Sequence, residues 1–559
     1  MDPGERRRAS RPAARLTLLA LAHLLALAAL VLVLRSGDEP VTAGASSATA
    51  GVSRAFAPAP AVPPAATSGF APAPRPDRAR LRKEIETILA NAVERARRLS
   101  EGRADARSVS IAVCVQGLES AATWVAIQAD RSLTPASNMK LVTTTAALVL
   151  VGPAWQFETR FEALGPIAGG ELAGDLVARA GGDPLYVEGG DGSLDPWAAE
   201  LARQLAAAGV RRVRGALVLD EGPFLEPGPG PAWPPASQHW ADYCALAAGF
   251  SANAGCLTAT VHAAAPGAAA RVALRPRSHG LEERVGVRTV AATRPLDVAV
   301  GATSRAVTVR GSIPASRAEW SASFAHPDPV ALFGSALAGA LARQGIEVRA
   351  GWRRERGAPA GAPVAVLRSP LAGALAPILL HSNNSVADQL FLALGAALEG
   401  RGDRAGGAAA VARGLAELGL DARGLEQVDG SGLSRDDRAT ARQLASLIAA
   451  VMRRGGEAAE LFRAALPLAG ESGGLAQRMQ DSAARGRVRA KTGWISGASA
   501  LSGIAEPDSG EPLAFSILVS YPAVSGLNTR CWKPMQDEIC ALLARGAPSE
   551  DGAGEDSDG

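Results

Sequence analysis

The sequence predicts an α+β protein: an antiparallel sheet with packed helices, interrupted by a β-rich insert. Strand-like segments stand towards both ends of the chain, "VSIAVCVQG" at 109–117 and, after residue 485, "GRVRAKTGW", "ASALSGIA" and "LAFSILVSYP". Helical patterns fill the stretch between 370 and 465. From Phe157 to about Val366 the text changes to short alternating segments such as "GELAGDLVARAGGDPLY" and "VRRVRGALVLDEG", separated by Gly and Pro. Helices from the middle of a chain packed on a sheet built from both ends make one interrupted domain. Residues 79–157 and 366–546 are assigned to it, and 158–365 to an insert large enough for one or two units.

The remaining segments follow in order. "MDPGERRRASRPAAR" places five arginines before an apolar run, Leu16 to Leu34, broken only by Thr17 and His23. That run is long enough to span a bilayer, and the arginines favour an exported, cell-envelope or periplasmic chain with its N-terminus in the cytoplasm. It reads as a cleaved signal peptide or an uncleaved anchor in the membrane, and its length favours the anchor. Residues 36–78, rich in Pro and Ala, form a linker. Arg78 to Leu99 carries Leu81, Ile85, Ile88, Leu89 and Ala92 on one helical face. Two strands follow, then a short loop and an apolar helix starting at Ser137 to Lys140. Further helices are expected at 406–419, 437–453, 457–465 and near 533–545, before an acidic tail at 547–559.

Composition excludes several classes. The net charge is +3 with dispersed arginines, so nucleic acid is not an expected partner. The five cysteines make no C-x-x-C pair, which leaves no zinc ribbon or redox motif, and neither a metal site nor a cofactor is expected. Cys114, in the apolar "VSIAVCV", is a buried thiol. Oligomeric state is left open.

Two textual patterns for a serine nucleophile meet at Gly470-Glu471-Ser472-Gly473-Gly474. A triad would also need a histidine and an acid, and none of the six histidines lies in a recognisable triad string. Ser472 between glycines is read as a turn residue. Three other strings stand in informative places: Ser137-Asn138-Met139-Lys140 at a loop-to-helix junction, Ser382-Asn383-Asn384 at the head of an apolar helix, and Lys491-Thr492-Gly493 on a strand. A serine hydroxyl needs an adjacent base, and one helical turn puts Lys140 beside Ser137. Burial and a second cation, Lys491, lower the lysine pKa so that neutral Lys140 takes the proton. Ser382 is placed to relay that proton to a leaving amine, and the Asn384 amide to hold Lys140 and substrate. The K-T-G strand offers an edge to an extended peptide, and the backbone N–H groups of Ser137 and Trp494 an oxyanion hole.

S-x-x-K, S-x-N and K-T-G in this order resemble the active site of the penicillin-binding proteins and serine β-lactamases. The insert between the first two motifs resembles the class C low-molecular-mass penicillin-binding proteins, the D-alanyl-D-alanine carboxypeptidase/endopeptidases, as do "HWADYCALAAGFSANAG", "VDGSGLSRDDRATARQL" and "RAKTGWISGASALSG". The resemblance implies a penicillin-binding-protein-like transpeptidase domain and a serine DD-peptidase acting on peptidoglycan peptides, with β-lactams as covalent inhibitors. It implies Ser137 as the acylated nucleophile, Lys140 as its base, and Ser382, Asn384 and Lys491 completing the catalytic group. Thr492, Gly493, Trp494 and Ser496 then line the substrate. Arg435 and Asp183 match the family's Arg and Asp, whose charges suit the far end of a diaminopimelate side chain. Trp494 stands where the family has a Thr or Ser that binds a terminal carboxylate, which favours endopeptidase action or lowers activity, and Asp388 stands where a Glu is common. A second reading keeps the fold and makes the protein a peptidoglycan-binding or β-lactam-sensing scaffold.

Overall fold

The computed structural model describes residues 77–186, 194–225 and 227–546. The apolar run, the linker up to Pro76 and the acidic tail lie outside the described residues. Among those described, no helix is long and apolar enough to cross a membrane.

A five-stranded antiparallel sheet organises the catalytic domain, in the order Val488–Ile495, Ala498–Ala505, Leu513–Ser520, Ser110–Gly117, Thr123–Ile127. Ser110–Gly117 is buried along its whole length because helices cover both faces. Its alternating side chains feed two cores. Ala112 and Cys114 pack with Met139–Leu150 and the helices of 371–465, whereas Ile111, Val113 and Val115 pack with Leu81, Ile85, Met535 and Ile539. The first of those outer helices, Arg78–Leu99, starts where the Asp77 side chain accepts the Arg80 N–H, and buries Leu81, Ile85, Leu89 and Ala92. All five cysteines are free and buried.

The chain leaves this domain along Gln156–Leu164 and returns along Ala362–Pro370, and the two strands pair antiparallel. They close a five-stranded sheet with Asp175–Arg179, Leu217–Asp220 and Trp352–Arg354, in which Leu217–Asp220 pairs parallel with both neighbours. The insert also holds two helices, Asp195–Ala207 and Pro329–Arg343. Sequence reading gave it strands only, because runs such as "AAELARQLAA" do not stand out in an Ala-rich chain. The start of the second helix is marked nonetheless, by Asp328 capping Val330 and Ala331 and by Pro329 at the first helical position.

Asp183 corrects an expectation. The sequence placed its carboxylate against the substrate, but it is 1% exposed, accepting the Ser369 hydroxyl at 2.5 Å and the Leu185 N–H at 2.8 Å. Ser369 ends the returning strand, so Asp183 fastens the insert to the point where the chain re-enters the catalytic domain. The Asp-Pro turn that made the residue conspicuous serves this junction. Gln389 adds a second fastening, its amide exchanging two hydrogen bonds with the Ala248 backbone.

Burial raises the Asp183 pKa to about 6 from 3.8. A carboxyl whose folded pKa is raised contributes stability that is full below its unfolded pKa and is lost as pH rises through the folded one. Denaturant unfolding of Asp183→Asn should therefore lack a loss of about 2–3 kcal/mol that the wild type shows between about pH 4 and pH 7. Parallel pH curves for the two proteins would contradict this assignment.

Candidate active site

The site lies where the N-termini of two helices meet one edge of the sheet. A short 3₁₀ turn, Ala136–Asn138, precedes the Met139–Leu150 helix, so Ser137 sits in the turn and Lys140 in the first turn of the α-helix proper. Lys140 is fully buried. Its ammonium donates to Ser137 Oγ at 3.2 Å, Asn384 Oδ1 at 2.6 Å and the Ser431 carbonyl at 2.7 Å. Burial pushes its pKa down to about 8, while Asp388, then Asp429 and Asp437, pull it back up. Lysine in this range exchanges protons near neutral pH.

The S-x-N string works through its middle residue. Asn383 caps the Asn384–Glu399 helix by accepting the Val386 N–H, which puts Asn384 at the first helical position. Asn384 Oδ1 then meets Lys140 and its Nδ2 donates to the Tyr243 carbonyl of the insert at 2.8 Å. Ser382 is left-handed, φ 58°, and its hydroxyl accepts from Lys491 Nζ at 2.8 Å. Ala136, just before Ser137, is left-handed too, φ 47°. Conformations of this kind persist only where the surroundings enforce them.

Lys491 is 1% exposed and also donates to the Thr492 carbonyl at 2.9 Å. Burial first, and the Lys140 charge second, hold its pKa well below the ordinary lysine value. The two lysines repel each other when both are charged, so the charge of each disfavours the charge of the other. Gly493 lies against the turn bearing Ser137: a β-carbon there would stand 2.8 Å from the Pro135 carbonyl and 3.0 Å from Asn138 Nδ2. Asn138 Nδ2 itself donates to the Lys491 carbonyl at 2.9 Å, tying turn to strand.

Val488–Ile495 is the edge of the sheet, and its lower half is covered. Ala490 N–H bonds the Pro467 carbonyl and the Val488 carbonyl accepts Ala469 N–H. Backbone groups on one side of a strand recur every second residue, so those of Thr492 and Trp494 point to the same edge, opposite Ser137. Trp494 is 52% exposed, with its indole N–H on Tyr521 Oη at 3.1 Å. Arg435 reaches across to the Ser496 carbonyl at 2.8 Å, so Ser496 meets it through its backbone.

Sequence reading missed what the insert brings here. Asp242 is exposed beside Tyr243, the residue that holds Asn384, and its carboxylate accepts the Tyr243 N–H at 2.8 Å. Among the described residues it is a carboxylate of the insert that stands next to the backbone holding Asn384, which Asp183 does not. Trp233 donates to Asp429 at 2.8 Å, and Asp429 also accepts the N–H groups of Ser431, Gly432 and Ser434, shaping the loop whose Ser431 carbonyl holds Lys140. The string "HWADY" was visible, but no local pattern says which insert loop folds back onto the catalytic helices. Ser472, by contrast, is a turn residue: its hydroxyl accepts the Leu468 N–H at 2.9 Å. Among the described residues no cluster of His, Cys, Asp and Glu is disposed to hold a metal.

A serine beneath a buried lysine, an S-x-N turn opposite and a lysine on the edge strand define a serine-type DD-peptidase of the penicillin-binding class. The chain belongs to the D-Ala-D-Ala carboxypeptidase 3 (S13) family, whose match spans residues 96–542. It is 37% identical over 409 residues to a D-alanyl-D-alanine carboxypeptidase of an Actinomadura species, covering 69% of this chain and 73% of that protein. It is 28% identical over 413 residues to the D-alanyl-D-alanine carboxypeptidase DacB of Haemophilus influenzae, covering 71% and 82%. The crystal structure of penicillin binding protein 4 (dacB) from Haemophilus influenzae superposes with a TM-score of 0.65 at 22% identity, over 78% of this chain and 96% of that one, and shows the shared fold.

Replacing Ser472 by Ala should leave the rate of penicillin acylation within about threefold of wild type, since it removes one hydrogen bond to the backbone of its own turn and none to Ser137, Lys140, Ser382, Asn384 or Lys491. Gly493→Val should abolish acylation while the protein still unfolds cooperatively, because the β-branched side chain pushes the edge strand off the nucleophile's turn. Stopped-flow labelling with a fluorescent penicillin measures both.

Proposed function

We propose that Ser137 is the nucleophile that is acylated and Lys140 the base that activates it, on D-Ala-D-Ala stem peptides of peptidoglycan. The observation that carries this reading is the placement of Lys140 Nζ, which is buried, 3.2 Å from Ser137 Oγ and held from its other sides by Asn384 and the Ser431 carbonyl. Ser137 Oγ attacks the carbonyl carbon of the penultimate D-Ala and its proton moves to Lys140. The oxyanion sits between the N–H groups of Ser137 and Trp494, and such donors are worth about 3–4 kcal/mol each to a transition state. Collapse breaks the C–N bond, and the proton passes to the leaving amine through Ser382, whose hydroxyl is held by Lys491. Water then attacks the acyl-enzyme by the same route, and a β-lactam stops at that stage.

Trp494 supports an endopeptidase bias. An indole in place of a hydroxyl offers no hydrogen bond to a free terminal carboxylate, whereas a cross-linked peptide continuing past the scissile bond gains an apolar surface. Arg435 and Asp242 stand at the mouth with opposite charges, which suit the carboxylate and amine of a diaminopimelate side chain. An envelope location, with the apolar N-terminal run as tether, fits such a substrate. The scaffold reading is not favoured, since the five polar groups are held by hydrogen bonds in two facing sets, Ser137–Lys140–Asn384 and Ser382–Lys491.

Mass spectrometry after incubation with penicillin should place the adduct on Ser137. Lys140→Ala should lower the acylation rate about a thousandfold, within the range general-base catalysis supplies. With cross-linked and uncross-linked muropeptides, Trp494→Thr should raise terminal D-Ala release relative to cross-link cleavage. An adduct elsewhere, or an unchanged product ratio, would refute the respective assignment.

A further inference from the structure

Beneath the cleft floor lies a carboxyl group that the chemistry above does not use. Asp388 stands one helical turn after Asn384 on the Asn384–Glu399 helix and is 6% exposed, and neither of its carboxylate oxygens has a hydrogen-bond partner among the described residues. The neighbouring Ser431 hydroxyl bonds Asp429 at 3.2 Å and also lies near enough to Asp388 to favour its charged form. An unbonded carboxyl in such a place is costly unless it answers a cation.

That cation is Lys140. Asn384, one turn earlier on the same helix face, already holds its ammonium at 2.6 Å, and the pull of Asp388 on Lys140 exceeds those of Asp429 and Asp437. The other charges reaching Asp388 are Asp429, which repels it, and Arg404 at the head of the Arg404–Glu417 helix, which attracts it less than Lys140 does. The Leu371–Leu379 helix packed alongside has no titratable residue. Asp242, in a turn that also packs on the Asn384–Glu399 helix, is exposed at the mouth, and the Lys491 ammonium is turned to Ser382 and the Thr492 carbonyl.

We propose that Asp388 is a positioning residue for the base: it does not meet substrate, and its buried, unbonded carboxylate answers the Lys140 ammonium from below, so that the lysine takes and returns the Ser137 proton near neutral pH. The inference rests on the reading of Ser137 and Lys140 given above. As the bond from Ser137 Oγ to the carbonyl carbon forms, the proton reaches Lys140 Nζ and makes an ammonium opposite Asp388. As the C–N bond breaks, that proton goes to the leaving nitrogen and Lys140 is neutral again. Burial moves the two groups in opposite directions, Asp388 up and Lys140 down. The charged form of each therefore depends on the charge of the other.

The test is the pH dependence of penicillin acylation in wild type, Asp388→Asn and Asp388→Glu. Without the carboxylate Lys140 loses its proton more readily, so the acid limb of Asp388→Asn should move down by about one pH unit or more, near tenfold in rate on the limb relative to its own plateau. The plateau itself should fall, because the ammonium formed on attack has lost its partner. Asp388→Glu should keep its limb within about half a unit of wild type. An acid limb of Asp388→Asn that stays at the wild-type position overturns the proposal, whatever the variant's melting temperature. Asp388→Ser carries the same expectation should the asparagine protein not unfold cooperatively. Labelled Ser137 with an unmoved limb refutes the role of Asp388 alone, whereas a wild type without label on Ser137 refutes the reading beneath it.

Discussion

Two ammonium groups removed from water constrain everything near the cleft. Hydration lost by a buried cation must be replaced by acceptors, at an effective cost of several kcal/mol per ion otherwise. For Lys140 the replacements come from three distant stretches of chain: its own helix turn, the Asn384–Glu399 helix and the 429–434 loop. For Lys491 they are Ser382 and the strand's own Thr492 carbonyl. Acceptors so widely separated in sequence converge only when sheet, helices and loops are all in place, so the site is formed by the fold as a whole.

Close backbone approach makes that convergence possible. The turn bearing Ser137 is gripped from two sides by glycines. At Gly493 a β-carbon would meet the Pro135 carbonyl, and at Gly432, φ +81°, it would lie 1.9 Å from the Ala136 carbonyl. Gly432 needs both the left-handed conformation and the missing side chain. The loop of Gly432 is drawn in by Asp429, which accepts three of its N–H groups, and it delivers the Ser431 carbonyl to Lys140. Thus the D-G-S-G-L string is a mould for the turn bearing Ser137, while Arg435 just beyond it reaches the Ser496 carbonyl.

What was legible in the sequence follows from the range of the interactions involved. The fold class could be read because strand alternation and helical period are local, and the helix Arg78–Leu99 emerged with the apolar face its spacing implies. The strings around Ser137, Ser382 and Lys491 were legible because each encodes a local geometry: a helix start, a capped helix and an edge strand. Asp183 misled for a related reason. Its Asp-Pro turn is local and conspicuous, but its partner, Ser369, is 186 residues away. The insert's helices were lost in an Ala-rich background. Asp242 and Trp233 could not be placed at all, since their positions depend on one insert loop folding back across the whole domain.

That loop also settles how Asn384 is oriented. An amide presents an acceptor at one end and a donor at the other, and here the two ends are occupied by partners that cannot exchange: an ammonium, which only donates, and a carbonyl, which only accepts. The Tyr243 carbonyl therefore keeps the oxygen of Asn384 towards Lys140, and turning the amide over would set donor against donor and acceptor against acceptor. Tyr243 belongs to the insert. The insert is consequently part of what holds Lys140, through the Tyr243 carbonyl and Asn384.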